Sequence, residues 1–177
     1  AYGDAAVRCK EGGLDGLEVM IGGHLVGQFL SPFTNFRTDS YGGSLENRAR
    51  FGLMVSEEIR NRVGDNFLTG IRFQIDDGTN DGLTFEDCVQ IAKYYEHEGH
   101  IDFINATYGR IDTDRALAEL SVPDMVSPAA PFLELVGQFK KRIGLPVFHA
   151  AKIGDVATAR YAIKEGLLDM VAMTRAH

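Results

Sequence analysis

The chain has 177 residues, with 18 Lys+Arg against 25 Asp+Glu, a net charge of −7 when histidine is neutral. Hydrophobic residues make up 45% and charged residues 24%, which excludes a disordered chain, and the 20 glycines follow no collagen period. No apolar run approaches the ~18 residues that would cross a bilayer, and an acidic chain without a basic stripe does not suit a nucleic acid, so neither membrane nor nucleic acid is expected as a partner.

Ala5 to Lys10 reads as the end of a helix, cut by Gly12-Gly13. Leu17 to Ile21 is a short strand. Ser44 to Val63 is a helix: Ser44 can cap it, Glu46 sits in its first turn, and Phe51, Val55, Ile59 and Val63 recur on one face. Phe67 to Ile75 is a strand. Thr84 to His97 is a helix opened by the capping pair Thr84 and Asp87, with Phe85, Cys88, Ile91, Ala92 and Tyr95 as its apolar stripe. Ile101 to Ala106 is a strand, and Pro131 to Ile143 a helix stopped by Gly144. Leu145 to Ala150 is a strand, Asp155 caps a helix running to Glu165, and Leu168 to Met173 is the last strand.

Strands and helices thus alternate, which implies a parallel sheet covered by helices. A sheet of five such strands with both edges bare would be an aggregation liability. The expectation is therefore a single partial (β/α)8 (TIM) barrel domain over residues 1–177, from about helix 3 to strand 8, with the first three strands and the C-terminal region missing. Cys9 and Cys88 lie far apart in helix-like stretches and read as packed thiols of a reducing compartment. With no signal peptide at the start, a cytoplasmic location is expected.

Chemistry in such barrels gathers where strands end. There stand His24 and Gln28 after the first strand, Arg72 and Gln74 in the second, Asn105 and Tyr108 after the third, His149 and Lys152 after the fourth, and Thr174 and Arg175 after the last. Ala150, Ala151 and Lys152, with Thr174 and Arg175, pair small residues with cations at two successive strand ends. That combination suits a phosphate, although solvated loop charges explain the same spacing. Arg72 lies in an apolar strand and needs a partner: either an ion pair with Asp76 or Asp77, or an electron-rich ligand atom. His24 follows Gly22-Gly23 and is as readily structural as functional; no other His, Asp or Cys stands at ligand spacing, so no metal is expected.

The stretch GQFLSPFTNFRTDSYGGSLENRARF, Gly27 to Phe51, closely resembles the old yellow enzyme, or NADH:flavin oxidoreductase, family. Gly13 to Glu18 looks like that family's GFDGVEI segment, and GIRF, GLPV and DMVAMTR follow in the family's order. The resemblance spans essentially the whole chain. It implies an FMN-dependent enzyme that passes hydride through flavin N5. Arg72 would face the flavin N1/O2 edge, where a cation stabilises the charge gained on reduction. Ala150, Ala151 and Lys152, with Thr174 and Arg175, would hold the phosphate. His24 would bind or position the substrate, and Tyr108 is a second catalytic candidate. Leu25-Val26 stand where enoate reductases carry a proton-donating Tyr. The variant GGHLVGQFLSP is similar to the subgroup of trimethylamine dehydrogenase, dienoyl-CoA reductase and N-methylproline demethylases, which implies oxidative demethylation of a small N-methyl amine. That subgroup often carries a 4Fe-4S cluster and uses NAD(P)H, and its members are expected to be homo-oligomers. The alternatives are enoate or dienoyl-CoA reduction within the family, or a phosphate-binding barrel isomerase or aldolase.

Overall fold

The computed structural model describes residues 1–173. Five strands, β1 (Gly16–Met20), β2 (Leu68–Gln74), β3 (Phe103–Thr107), β4 (Val147–His149) and β5 (Met170–Val171), form one sheet in chain order. Every pairing is parallel, with Gly16 opposite Leu68, Gly70 opposite Phe103, Ile104 opposite Val147 and Phe148 opposite Met170. Sequential order with parallel pairing is the consequence of placing a helix between each pair of strands and returning it over the same face.

The helices are α1 (Tyr2–Glu11), α2 (Leu25–Leu30), α3 (Leu45–Val63), α4 (Phe85–Glu98), α5 (Asp114–Ala116), α6 (Leu133–Lys140) and α7 (Val156–Lys164). The expected capping residues do their work. Ser44 accepts from the Asn47 amide, Thr84 and Asp87 form a reciprocal capping box, and Asp155 accepts from the Thr158 amide. Two elements go beyond the sequence expectation. One is α2, directly after β1. The other is α5, which runs into a π-helical turn at Leu117–Ser121. Both are too short for a period to show in sequence. The helix expected over Pro131–Ile143 is confined to α6, opening after Phe132.

Alternation along the strands separates two faces. Ile71, Phe73, Ile104, Ala106 and Val147 are buried in the core beneath the helices. Val55, Ile59 and Val63 of α3 and Cys88, Ile91, Ala92 and Tyr95 of α4 complete that core. The other, inner face carries Glu18, Gly70, Arg72, Phe103, Asn105 and Phe148. There Phe103 stacks on Phe148 with ring centroids 4.6 Å apart. A methyl group on Gly70 would sit 2.1 Å from the Phe103 ring, so glycine is required for the ring to lie across β2.

The lower end of the sheet is fastened by a device used twice. Asp102, just before β3, accepts from the Thr69 amide (2.7 Å) and from Arg60 of α3 (2.7 Å). Asp169, just before β5, accepts from the Val147 amide (2.8 Å) and pairs with Lys140 of α6 (3.1 Å). Each carboxylate joins two strands to the helix that precedes the first of them, and each cation sits in a last helical turn, where the macrodipole favours it.

Candidate active site

The opposite end of the sheet gathers the expected site residues. Arg72 lines a cavity of about 510 Å³ together with the 121–125 segment and residues 150–154, Ala150, Ala151 and Lys152 among them. One wall thus offers a guanidinium, and the other a turn of small residues at a strand end. A methyl group built at Gly154 would meet nothing within 4 Å, so the backbone there is open to a ligand. A groove of about 570 Å³ between α3 and α4 lies on the helical side, away from every strand end. It holds none of the candidates.

Arg72 does not pair with Asp76 or Asp77. Its nearest acid is Glu18, at 3.9 Å across β1 and β2. Asp77 is wholly buried and already engaged, accepting from Ser31 Oγ (2.9 Å), Gln74 Nε2 (3.1 Å) and the Leu83 amide (2.7 Å). Asp76 accepts from the Gly78 amide at 2.6 Å. Both carboxylates are consumed in shaping the loop after β2, which leaves Arg72 to the inner face.

Lys152 adopts a left-handed backbone, φ 55°. Its ammonium donates to the Asp124 carbonyl at 2.5 Å and to the Ser127 carbonyl. In this arrangement it pins the 124–127 segment beside the cavity. Thr174 and Arg175 lie outside the described residues.

His149, which is 1% exposed, uses Nδ1 to donate to the Ala106 carbonyl at 2.8 Å, which leaves Nε2 as a buried acceptor without a hydrogen-bond partner. Burial pushes its pKa below the usual histidine value and the charge of Arg72 adds to this, while the hydrogen bond to Ala106 opposes them. The imidazole is neutral at pH 7. Asn105 Oδ1 is a second buried acceptor without a hydrogen-bond partner, on the inner face.

His24 is exposed and serves as the N-cap residue of α2, though its side chain makes no capping bond. Tyr108 stacks on Phe132 with centroids 4.3 Å apart. Burial and the charge of Asp76 raise the Tyr108 pKa, so its phenol keeps its proton at neutral pH. The loops bearing the two residues touch, because Ile111 packs 2.8 Å from where a Gly23 methyl would be. Arg110 adds a second fastening, lying 3.8 Å over the Phe33 ring and pairing with Asp81 at 3.0 Å. The His24 loop and the Tyr108 loop therefore meet at Gly23 and Ile111, while Arg72 and Ala150 to Lys152 line the cavity.

The Gly27–Phe51 block turns out to be architectural. Asn35 donates to the Phe29 carbonyl (2.6 Å) and the Tyr41 carbonyl (2.7 Å). Arg48 donates to the Leu30 carbonyl (2.8 Å) and the Gly43 carbonyl (2.6 Å), and Arg50 to the Ser40 carbonyl (2.8 Å). Phe29 packs on Phe51 at 4.7 Å. Carbonyls in a long loop have no sheet or helix partner, and these side chains supply one. The block winds the loop against α3 and delivers Ser31 to Asp77.

Parallel strands in chain order, covered by helices, define a β/α-barrel fold. The comparisons make the class specific. A model of the NADH:flavin oxidoreductase / NADH oxidase family matches residues 1–177, and the chain belongs to that family. It is 55% identical to a multifunctional alkene reductase/demethylase of Caballeronia cordobensis, over 99% of this chain and 26% of that protein. It is 46% identical to a probable N-methylproline demethylase of Rhizobium meliloti, again over 99% of this chain and 26% of that protein. Among solved structures, a 2-naphthoyl-CoA reductase in complex with 2-naphthoyl-CoA superimposes with a TM-score of 0.90 at 33% identity, covering 98% of this chain and 26% of that one. The fold is part of a TIM barrel, as expected, and the chain spans about a quarter of the length of these relatives. Among the described residues no helix is long and apolar enough to cross a membrane.

Proposed function

We propose that residues 1–177 contribute a single partial barrel domain to an FMN-dependent oxidoreductase, whose first three strands and C-terminal region lie elsewhere in a longer protein. The reaction is oxidative demethylation of a small N-methyl amine. The observation that carries this reading is the cavity joining Arg72 to the turn of residues 150–154. The printed names of two relatives, a reductase/demethylase and an N-methylproline demethylase, support the substrate class. Reduction of an activated alkene is the second reading, favoured by the first of those names and by the naphthoyl-CoA complex.

The residues present fit the cofactor. Arg72 stands where it can face an electron-rich ring edge, and the open backbone at Gly154 with Ala150 and Ala151 leaves room for a phosphate. Lys152 completes that end, holding the 124–127 segment as one wall; Thr174 and Arg175 are proposed as the neighbouring phosphate contacts. When bound, FMN supplies the hydride acceptor or donor at N5. His24 positions the substrate at the rim. Tyr108, protonated at neutral pH, offers a hydrogen-bond donor beside it. The buried, uncharged His149 presents Nε2 as an acceptor behind the Arg72 wall. A 4Fe-4S cluster, NAD(P)H as electron donor, assembly as a homo-oligomer and a cytoplasmic location belong to the same proposal. The two free cysteines accord with a reducing compartment.

The test is the visible spectrum of the longer protein as purified, followed by FMN titration of the apoprotein and of its Arg72→Gln variant. Flavin absorbance near ~450 nm is expected, with affinity weakened about 10–100-fold in the variant, the range for losing a charge-assisted contact. A colourless, folded protein that takes up no FMN refutes the reading.

A further inference from the structure

Three side chains on the inner face form a unit that crosses three strands. Glu18 on β1 accepts from Asn105 Nδ2 on β3 at 2.8 Å. Its other oxygen lies 3.9 Å from Arg72 Nη1 on β2. Arg72 and Asn105 are register partners, and Glu18 is the register partner of Gly70, one step below. The absence of a side chain at Gly70 lets Phe103 lie flat there, stacked on Phe148, so the unit stands above an apolar floor.

The charges around Arg72 are otherwise accounted for. Asp77 is bound by Ser31, Gln74 and Leu83, and Asp76 by the Gly78 amide. His149 is neutral. Among the described residues, Glu18 is the acid within ion-pair distance of Arg72. Asn105 keeps the carboxylate from turning away.

We propose that Glu18 is a positioning residue for Arg72: it aims the guanidinium and offsets part of its charge, and so sets the electron affinity of the flavin edge laid against it. The inference rests on the reading that Arg72 faces FMN. Removing the carboxylate's charge leaves Arg72 less compensated. Negative charge gained on reduction is then better stabilised, and the potential rises. Removing Arg72 has the opposite sign.

The experiment is the midpoint potential of bound FMN in the longer holoprotein, for wild type, Glu18→Gln, Arg72→Gln and the double variant. The Glu18→Gln side chain is nearly isosteric, and its amide oxygen still accepts from Asn105. The expected result is a downward shift for R72Q and an upward shift for E18Q. In the R72Q background the E18Q shift falls to less than half, because Glu18 acts through Arg72. If R72Q leaves the potential unchanged, the underlying reading of Arg72 fails and the proposal falls with it. If R72Q lowers the potential but E18Q does not raise it, or raises it equally in both backgrounds, the role of Glu18 is overturned while Arg72 keeps its own. Should E18Q fail to retain FMN, Glu18→Asp carries the test. It keeps the charge but withdraws it from Arg72 by one methylene, so a smaller upward shift is expected, and no shift overturns the proposal.

Discussion

Asp77 is the residue whose removal should be felt most at the loop end of the sheet. It is 0% exposed, and its carboxylate takes three hydrogen bonds, from Ser31 Oγ, Gln74 Nε2 and the Leu83 amide, at 2.9, 3.1 and 2.7 Å. Asp77→Ala would leave three buried donors without an acceptor. Each orphan costs about 1–3 kcal/mol, so a loss of about 3–9 kcal/mol is expected, a large share of any domain's stability. Asp77→Asn should behave very differently. The oxygen of the new amide can stay toward Ser31 and Leu83, while its NH2 group meets Gln74. Gln74 Oε1 has no hydrogen-bond partner as it stands, so turning the Gln74 amide end over lets that oxygen accept from the introduced NH2 group. The swap should cost only about 1 kcal/mol. Urea unfolding of the longer protein, followed by circular dichroism, measures both. Equal destabilisation of the two variants, or a D77A loss under about 1 kcal/mol, would refute the reasoning.

Two further expectations concern packing and pH. Gly70→Ala forces the Phe103 ring off β2 and out of its stack on Phe148, at a cost of about 1–3 kcal/mol, whereas Gly154→Ala meets open space and should stay within about 0.5 kcal/mol of wild type; denaturation midpoints compare them directly. For His149, the folded value lies below the unfolded value of 6.5, so the unfolded chain takes up the proton first as pH falls. Its contribution is complete above pH 6.5 and declines below it, by at most about 1.4 kcal/mol per pH unit until the folded pKa is passed. His149→Gln should flatten the stability profile in that window, and an unchanged profile counts against a buried neutral imidazole.

The secondary structure is legible in the sequence because its signals are local. Ser44, Thr84 and Asp155 act on amides three residues away, and Val55, Ile59 and Val63 face the core because a helix repeats every 3.6 residues. The five strands in order follow from their alternation with those helices. The short α2 and α5 are not legible, since one or two turns carry no period and are held by the loops they pack against. The partner of Arg72 is not legible either. Sequence nearness points to Asp76 and Asp77, yet side-chain parity and strand pairing bring Glu18, 54 positions earlier (72 − 18), to the same face.

Family membership, the parallel β/α order and the list of strand-end residues can be read from the linear chain alone, because capping, periodicity and a long motif are all encoded by near neighbours. Only the folded sheet decides which of those residues meet. It places Arg72 with the 150–154 turn, and the His24 loop with the Tyr108 loop. It turns the Gly27–Phe51 block into a loop fastener, and it leaves His149 neutral and buried. The physical reason is register. Parallel pairing sets side chains from distant segments side by side, and burial then fixes which charges are satisfied and which remain to face a ligand.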